Sequence, residues 1–221
     1  MFKDLKFRTS NLEQENIMHP RRSLFFSLLS LIVFGLSTNA SSQANEPRFT
    51  IEPSYDVVLQ VVIGGDDKSG SRLPDNLNNV AKQLKNNYQF ADYRLANTYV
   101  GRIANGGNFE FKSLSNIFGR PPDTDTPSFL EWTLGGLRAG PNARGKNDIM
   151  LQVFRFGARI PIRTGSFREE GGKQLPIINY EAIGLSSGRV TLSENTPTLL
   201  GSLSLPTSEN SMFLVLTLRP A

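Results

Sequence analysis

From Tyr55 to Ile63 the chain reads YDVVLQVVI, with Tyr55, Val57, Leu59, Val61 and Ile63 in one alternating phase and Val58 and Val62 in the other. A strand apolar in both phases is covered on both sides, so this segment is expected at the centre of a sheet. After a loop of Gly, Asp and Ser (Gly64 to Arg72), Leu77, Val80, Ala81, Leu84 and Tyr88 recur at helical spacing. Asp75 stands where an N-cap would, and Asn86-Asn87 where the helix would stop. No other long helix is predicted.

Beyond it the period shortens to two. Tyr93, Leu95, Tyr99 and Ile103 fall in one phase of a strand, and Asn105-Gly106 then gives a hairpin signal leading into Phe109 to Leu114. A segment rich in Pro and Asp (Gly119 to Pro127) precedes a strand from Phe129 to Leu137, and Ala139 to Asn147 reads as a loop. The clearest alternation follows: Phe154, Phe156, Ala158, Ile160 and Ile162 share one face, and Arg155, Arg159 and Arg163 the other. After a loop from Gly165 to Lys173, strands are expected over Ile177 to Ile183, Arg189 to Ser193, Thr198 to Leu205 and Met212 to Leu218. A β-α-β opening followed by antiparallel strands makes the fold class α+β, strand-dominated, with one long helix.

The N-terminal stretch has a different character. Met18-His19-Pro20-Arg21-Arg22 supplies positive charge, and an uncharged apolar run, SLFFSLLSLIVFGL from Ser23 to Leu36, follows it. That run is shorter than the roughly 20 residues a membrane-crossing helix needs and suits a signal-peptide core. Small residues then occupy positions a signal peptidase reads. Ser42-Gln43-Ala44 is the preferred cut and Thr38-Asn39-Ala40 the second. The expected organisation is therefore an export leader over 1–44, with Met18 as an alternative start, and a single mostly β domain over 45–221. A buried helix or an uncleaved anchor is the competing interpretation of the apolar run. Arg21-Arg22 lacks the remainder of a twin-arginine pattern, so the general secretory route is expected, with a periplasmic or extracellular product that has no transmembrane helix.

This expectation changes what composition means. The chain holds 24 Lys and Arg against 20 Asp and Glu, but Lys3, Lys6, Arg8, Arg21 and Arg22 precede the cut, along with Asp4, Glu13 and Glu15. The remainder is close to balance, at about +2, so bulk charge does not call for a nucleic-acid partner. There is no cysteine, and the single histidine is His19. A domain without Cys or His has no disulfide, no lipidated cysteine, no Ser-His-Asp or Cys-His catalysis and no zinc site of the usual ligands. No cofactor is expected.

Several motifs weaken under the same test. Gly184-Leu185-Ser186-Ser187-Gly188 matches the G-x-S-x-G of serine hydrolases, but a base for Ser186 is missing and no helix follows, so it reads as a Gly/Ser turn. Gly140 to Asn147 resembles a phosphate-binding loop except that Asn147 replaces the magnesium-holding hydroxyl, and it reads as an ordinary loop. Asp66-Asp67 and Asp123-Thr124-Asp125 fall short of the ligands a calcium site needs, and no metal site is expected. Trp132 reads as core, with sugar stacking as the rival role. Two carboxylates among Glu110, Glu131 and Glu181 could serve glycoside hydrolysis, which needs no histidine. Arg155, Arg159 and Arg163 are the candidate binding residues: at i, i+4 and i+8 they line one strand face about 13 Å apart. They suit an anionic polymer or an envelope protein, against the plainer role of a solvated face or a charged guard against edge pairing.

Ile177-Ile178-Asn179-Tyr180-Glu181-Ala182-Ile183-Gly184-Leu185, then Thr196-Pro197-Thr198-Leu199-Leu200-Gly201-Ser202-Leu203, and the closing Met212 to Pro220 resemble strands of bacterial secretins, the outer-membrane export channels. The opening from Tyr55 to Tyr88 is similar to the small periplasmic modules of that family. The resemblance covers about a quarter of the chain and transfers no functional residue. It implies a role in envelope assembly. The expected function is accordingly an exported, non-enzymatic binding or assembly module of the bacterial cell envelope, with a carboxylate-dependent glycan hydrolase as the alternative. A membrane barrel is the third possibility, opposed by few strands, uneven loops and the intervening helix.

Overall fold

All strands among the described residues belong to two antiparallel sheets. In chain order the elements are β1 (Ser54–Gly65), α1 (Asn78–Asn87), β2 (Asp92–Ala104), β3 (Asn108–Ser115), β4 (Ser128–Gly135), β5 (Arg138–Pro141), β6 (Asn147–Arg168), β7 (Gln174–Ser193), β8 (Thr198–Ser204) and β9 (Ser211–Pro220). The first sheet runs β2-β1-β9-β8; the second runs β3-β4-β6, with β5 beside β4 on one flank of β6 and β7 on the other. The computed structural model describes residues 52–66, 72–118, 126–145, 147–206 and 208–221. Contacts divide the chain into Met1–Arg48 and Phe49–Ala221. All described residues fall in the second unit, and the leader expected up to Ala44 lies outside them.

β1 is central and covered on both faces, as its double apolar phase requires. Its odd residues, from Tyr55 to Ile63, join Met212, Leu214, Leu216 and Leu218 of β9 in a core shared with the inner face of the second sheet. On its other face, Val62 packs with Phe213 and Val215 beneath Leu77, Val80 and Leu84. The helix thus covers one side of the first sheet and the second sheet covers the other. The opening has the order strand, helix, strand, but β1 and β2 are direct antiparallel neighbours rather than a parallel crossover pair.

Three local expectations are corrected. Asp75 begins a short 3-10 turn, Asp75–Leu77, and α1 starts after it with Leu77 as a cap that makes no side-chain hydrogen bond. Asn105-Gly106 does turn the chain, with Gly106 at φ 76°, but it carries the chain from one sheet to the other, since β2 pairs with β1 and β3 with β4. Tyr93, Leu95, Tyr99 and Ile103 do not share a face. A bulge in β2 sets Val61 opposite Asn97 but Val62 opposite Leu95, so Ala96 is the extra residue. The extra residue reverses the pleat. Tyr93 and Leu95 therefore face the helix, while Tyr99 and Ile103 face the core between the sheets.

The second sheet makes a coordinated change of phase. Inward residues are Leu130, Trp132 and Leu134 on β4, then Leu137; Ile149 and Leu151, then Phe154, Phe156 and Ala158 on β6; Ile183 and Leu185, then Val190 and Leu192 on β7. Register aligns these switches, because Gly135 faces Val153, which faces Gly188. Gly136 (φ 63°), in the link between β4 and β5, and Arg189 (φ 56°), within β7, sit at the switch on either side of β6, where left-handed backbone turns the pleat over.

Tyr93 ties the helix to the sheet. Its hydroxyl can donate to the carbonyls of Leu84, at 3.1 Å, and Tyr88, at 3.2 Å, sharing one proton between two acceptors at the end of α1. Burial raises its phenol above the ordinary tyrosine value. Tyr99 is the opposite case, since its buried hydroxyl has no hydrogen-bond partner among the described residues. Tyr93→Phe is expected to lower stability by about 1 kcal/mol, whereas Tyr99→Phe should be neutral or stabilising. Denaturant midpoints at unchanged slope measure both, and equal losses would contradict the assignment.

Candidate functional site

With its inner face committed to the core, the second sheet exposes the other. β6 alternates inward Phe154, Phe156, Ala158 and Ile160 with outward Arg155, Gly157 and Arg159. Arg155 lies between Thr133 of β4 and Ser186 of β7, and Arg159 between Phe129 and Ala182. Arg163 stands farther along, opposite Ile178, where β6 and β7 continue as a two-stranded ribbon beyond the end of β4. Its guanidinium donates to the carbonyl of Gly165 at 3.4 Å, next to a bulge between Arg163 and Gly165. All three arginines are exposed, and among the described residues none forms an ion pair.

The phase change adds two cations. Arg138 pairs in register with Met150, and Arg189 lies at the bend between Gly188, opposite Val153, and Val190, opposite Leu151; both are exposed while Leu137, Ala139 and Leu192 around them pack inward. Their side of the sheet is the arginine side. Uninterrupted alternation would have assigned them otherwise, so linear sequence held no signal for them.

Beside Arg159 the face is concave. A shallow trough of about 990 Å³ is lined by Lys112, Leu114, Phe129, Glu131, Arg159 and Tyr180, with Gly157 and Ala182 among its other residues. Phe129 and Tyr180 have ring centroids 5.9 Å apart at an interplanar angle of 48°, and both are more than 40% exposed, at 43% and 45%. The Tyr180 hydroxyl donates to the carbonyl of Pro127 at 3.1 Å, holding the ring over Pro161, its register partner. Phe129 was legible as an outward residue, since Leu130, Trp132 and Leu134 take the opposite phase. Tyr180 required the tertiary pairing. Trp132 itself is buried in the core, with its ring centroid 4.8 Å from that of Phe109.

The carboxylates named as catalytic candidates do not form a sheltered pair. Lys112 lies 2.7 Å from Glu110 and 3.9 Å from Glu131, and the side chains of the two glutamates are 58% and 60% exposed. The hydrogen bond to Glu110 comes first among the causes that raise the Lys112 ammonium above its ordinary value, so the lysine stays charged at neutral pH. Glu181 is opposite Ile160, in the other phase of β7. The G-x-S-x-G segment is neither an elbow nor a turn: Gly184 to Gly188 run within β7, and Ser186 faces Arg155 across the ladder. Gly140 and Pro141 end β5, and the chain then turns over Asn142 to Gly145. Asp66 accepts a hydrogen bond from the Ala91 amide at 3.2 Å; Asp67, Asp123 and Asp125 lie outside the described residues. Among the described residues no three His, Cys, Asp or Glu side chains gather as metal ligands, and no helix is long and apolar enough to cross a membrane.

Fold and site together define a strand-dominated domain of two antiparallel sheets with one open, arginine-bearing face. Compared with known protein families, curated proteins and solved structures, the chain has no match.

Replacing Arg155, Arg159 and Arg163 together with Gln should change unfolding free energy by no more than about 0.5 kcal/mol per site, because each projects into water. Leu130→Ala, on the inward face beside this row, should cost about 2–5 kcal/mol. Thermal unfolding of the two variants checks which way each side chain points; a large loss in the arginine variant would place it in the fold's support.

Proposed function

We propose that this chain is an exported, non-enzymatic binding or assembly module of the bacterial cell envelope, acting through the outer face of its second sheet. The observation that carries the proposal is the row of exposed arginines on β6, which are free of ion pairs among the described residues and stand on a face the core does not need. Guanidinium groups without carboxylate partners keep their fork of donors available for an anionic surface. The leader pattern before Ala44 supports the address, and the resemblance of the C-terminal strands to secretins supports the envelope. An envelope protein and an anionic polymer are the two partner classes this face suits.

Glycan hydrolysis has less support. A general acid has to hold its proton near neutral pH, which requires shelter from water or a close second carboxylate. Glu110 and Glu131 are open to solvent, and a lysine stands between them.

Two measurements test the proposal. Mass spectrometry of the secreted product should find an N-terminus shortly after Ala44, and a product retaining Met18 or His19 would overturn the export assignment. Purified protein should cosediment with bacterial envelope fractions, and the triple Arg→Gln variant should lose about tenfold in affinity. Equal sedimentation of both proteins would remove the arginine face from the function.

A further inference from the structure

The same face carries more than charge, and what accompanies the charge narrows the partner. Resting on the binding role proposed above, we infer that the trough beside Arg159 is a subsite for an extended acidic polysaccharide, with one sugar ring against Phe129 and Tyr180 and a carboxylate or sulfate on Arg159.

Four features converge on this ligand. Phe129 and Tyr180 offer adjacent exposed aromatic surface, against which the C–H face of a pyranose can pack while its hydroxyls stay in water. Gly157 and Ala182 leave the trough low between Glu131 and the aromatic pair. Glu131 and Lys112 supply an acceptor and a donor for hydroxyls at the margin. Arg155 and Arg163 continue the cationic line about 13 Å to either side of Arg159, the spacing that four strand residues impose. An extended chain bearing negative groups at intervals would meet a guanidinium at each.

The acidic margin distinguishes this ligand from other polyanions. Glu110 and Glu131 share one lysine, so carboxylate charge remains beside the trough. The phosphodiester backbone of a nucleic acid offers only acceptor oxygens to that charge, whereas each ring of an acidic polysaccharide carries hydroxyl donors beside its anionic group and can turn them toward Glu131. A lipid bilayer suits a convex apolar wedge, and the aromatic pair instead lines a concavity.

The vacant space above Gly157 is not required for packing. A Cβ built there would meet the Glu131 side chain at 3.5 Å, which is ordinary contact. Gly157→Leu therefore fills the trough while leaving every charge in place.

The experiment measures binding of the full chain to a fluorescent oligogalacturonate of about ten sugars, its uncharged methyl ester and a single-stranded DNA of about ten nucleotides. The acidic oligosaccharide should bind saturably, with the ester about tenfold weaker or worse. Arg159→Gln, Phe129→Ala and Gly157→Leu should each weaken binding about tenfold, with unfolding midpoints showing that each variant is folded. Several results overturn the inference: no saturable binding of the acidic oligosaccharide, DNA binding as tight as that of the sugar, or Phe129→Ala and Gly157→Leu binding like the unaltered chain. If envelope cosedimentation depends on the arginines yet resists competition by oligogalacturonate, the glycan assignment fails and the binding role stands. Loss of arginine-dependent cosedimentation itself would remove the broader role.

Discussion

Burying both faces of β1 and β9 is the demand around which the other elements are arranged. From Met212 to Leu218 all seven side chains of β9 are buried, and β1 is buried from Leu59 to Gly64. Such strands would leave one apolar face in water if only a single layer covered them. The helix supplies one cover with Leu77, Val80 and Leu84, and the inner face of the second sheet supplies the other. Among the described residues no further layer covers the outer face of the second sheet, where the arginines stand beside exposed Phe129 and Tyr180. That asymmetry lets one face of the second sheet carry charge.

The second sheet preserves its division between inside and outside by changing phase on three strands at one level. A reversal confined to β6 would send Leu151 or Phe154 outward, or break its pairing with the neighbours. Val153 pairs with Gly135 and Gly188 on one side of the bend and Met150 with Arg138 and Thr191 on the other, so the neighbours of β6 turn over with it and pairing resumes in the same register. The consequence reaches the surface: Arg138 and Arg189 join the side of Arg155 and Arg159. Farther along, Tyr180 crosses Pro161 to reach Pro127, so the ribbon formed by β6 and β7 contributes an aromatic ring to the edge of the trough.

Much of this was legible where local periodicity and local burial coincide. The central position of β1, the apolar stripe of α1, the core location of Trp132 and the outward phase of the three arginines all follow from side-chain alternation within one element. The failures have equally definite causes. Asn105-Gly106 specifies a turn but cannot specify whether the strands it joins will pair. Gly184 to Gly188 carries turn-like composition, yet a long partner in β6 holds it extended. The common phase of Tyr93 and Tyr99 is interrupted by a bulged residue, Ala96, that no local propensity marks.

By itself, the sequence determined which residues had to leave water, that strands would dominate, and that a domain beginning after Ala44 would hold neither histidine nor cysteine for catalysis. Those conclusions need only composition and the two-residue or 3.6-residue period of a single element. Tertiary structure alone decided that β2 and β3 lie in different sheets, that the bend brings Arg138 and Arg189 to the arginine face, and that Phe129 and Tyr180 stand beside Arg159. The physical reason is that register and bulges are set by pairing between distant strands. A shift of one residue reverses every side chain beyond it, and no stretch of sequence contains both partners.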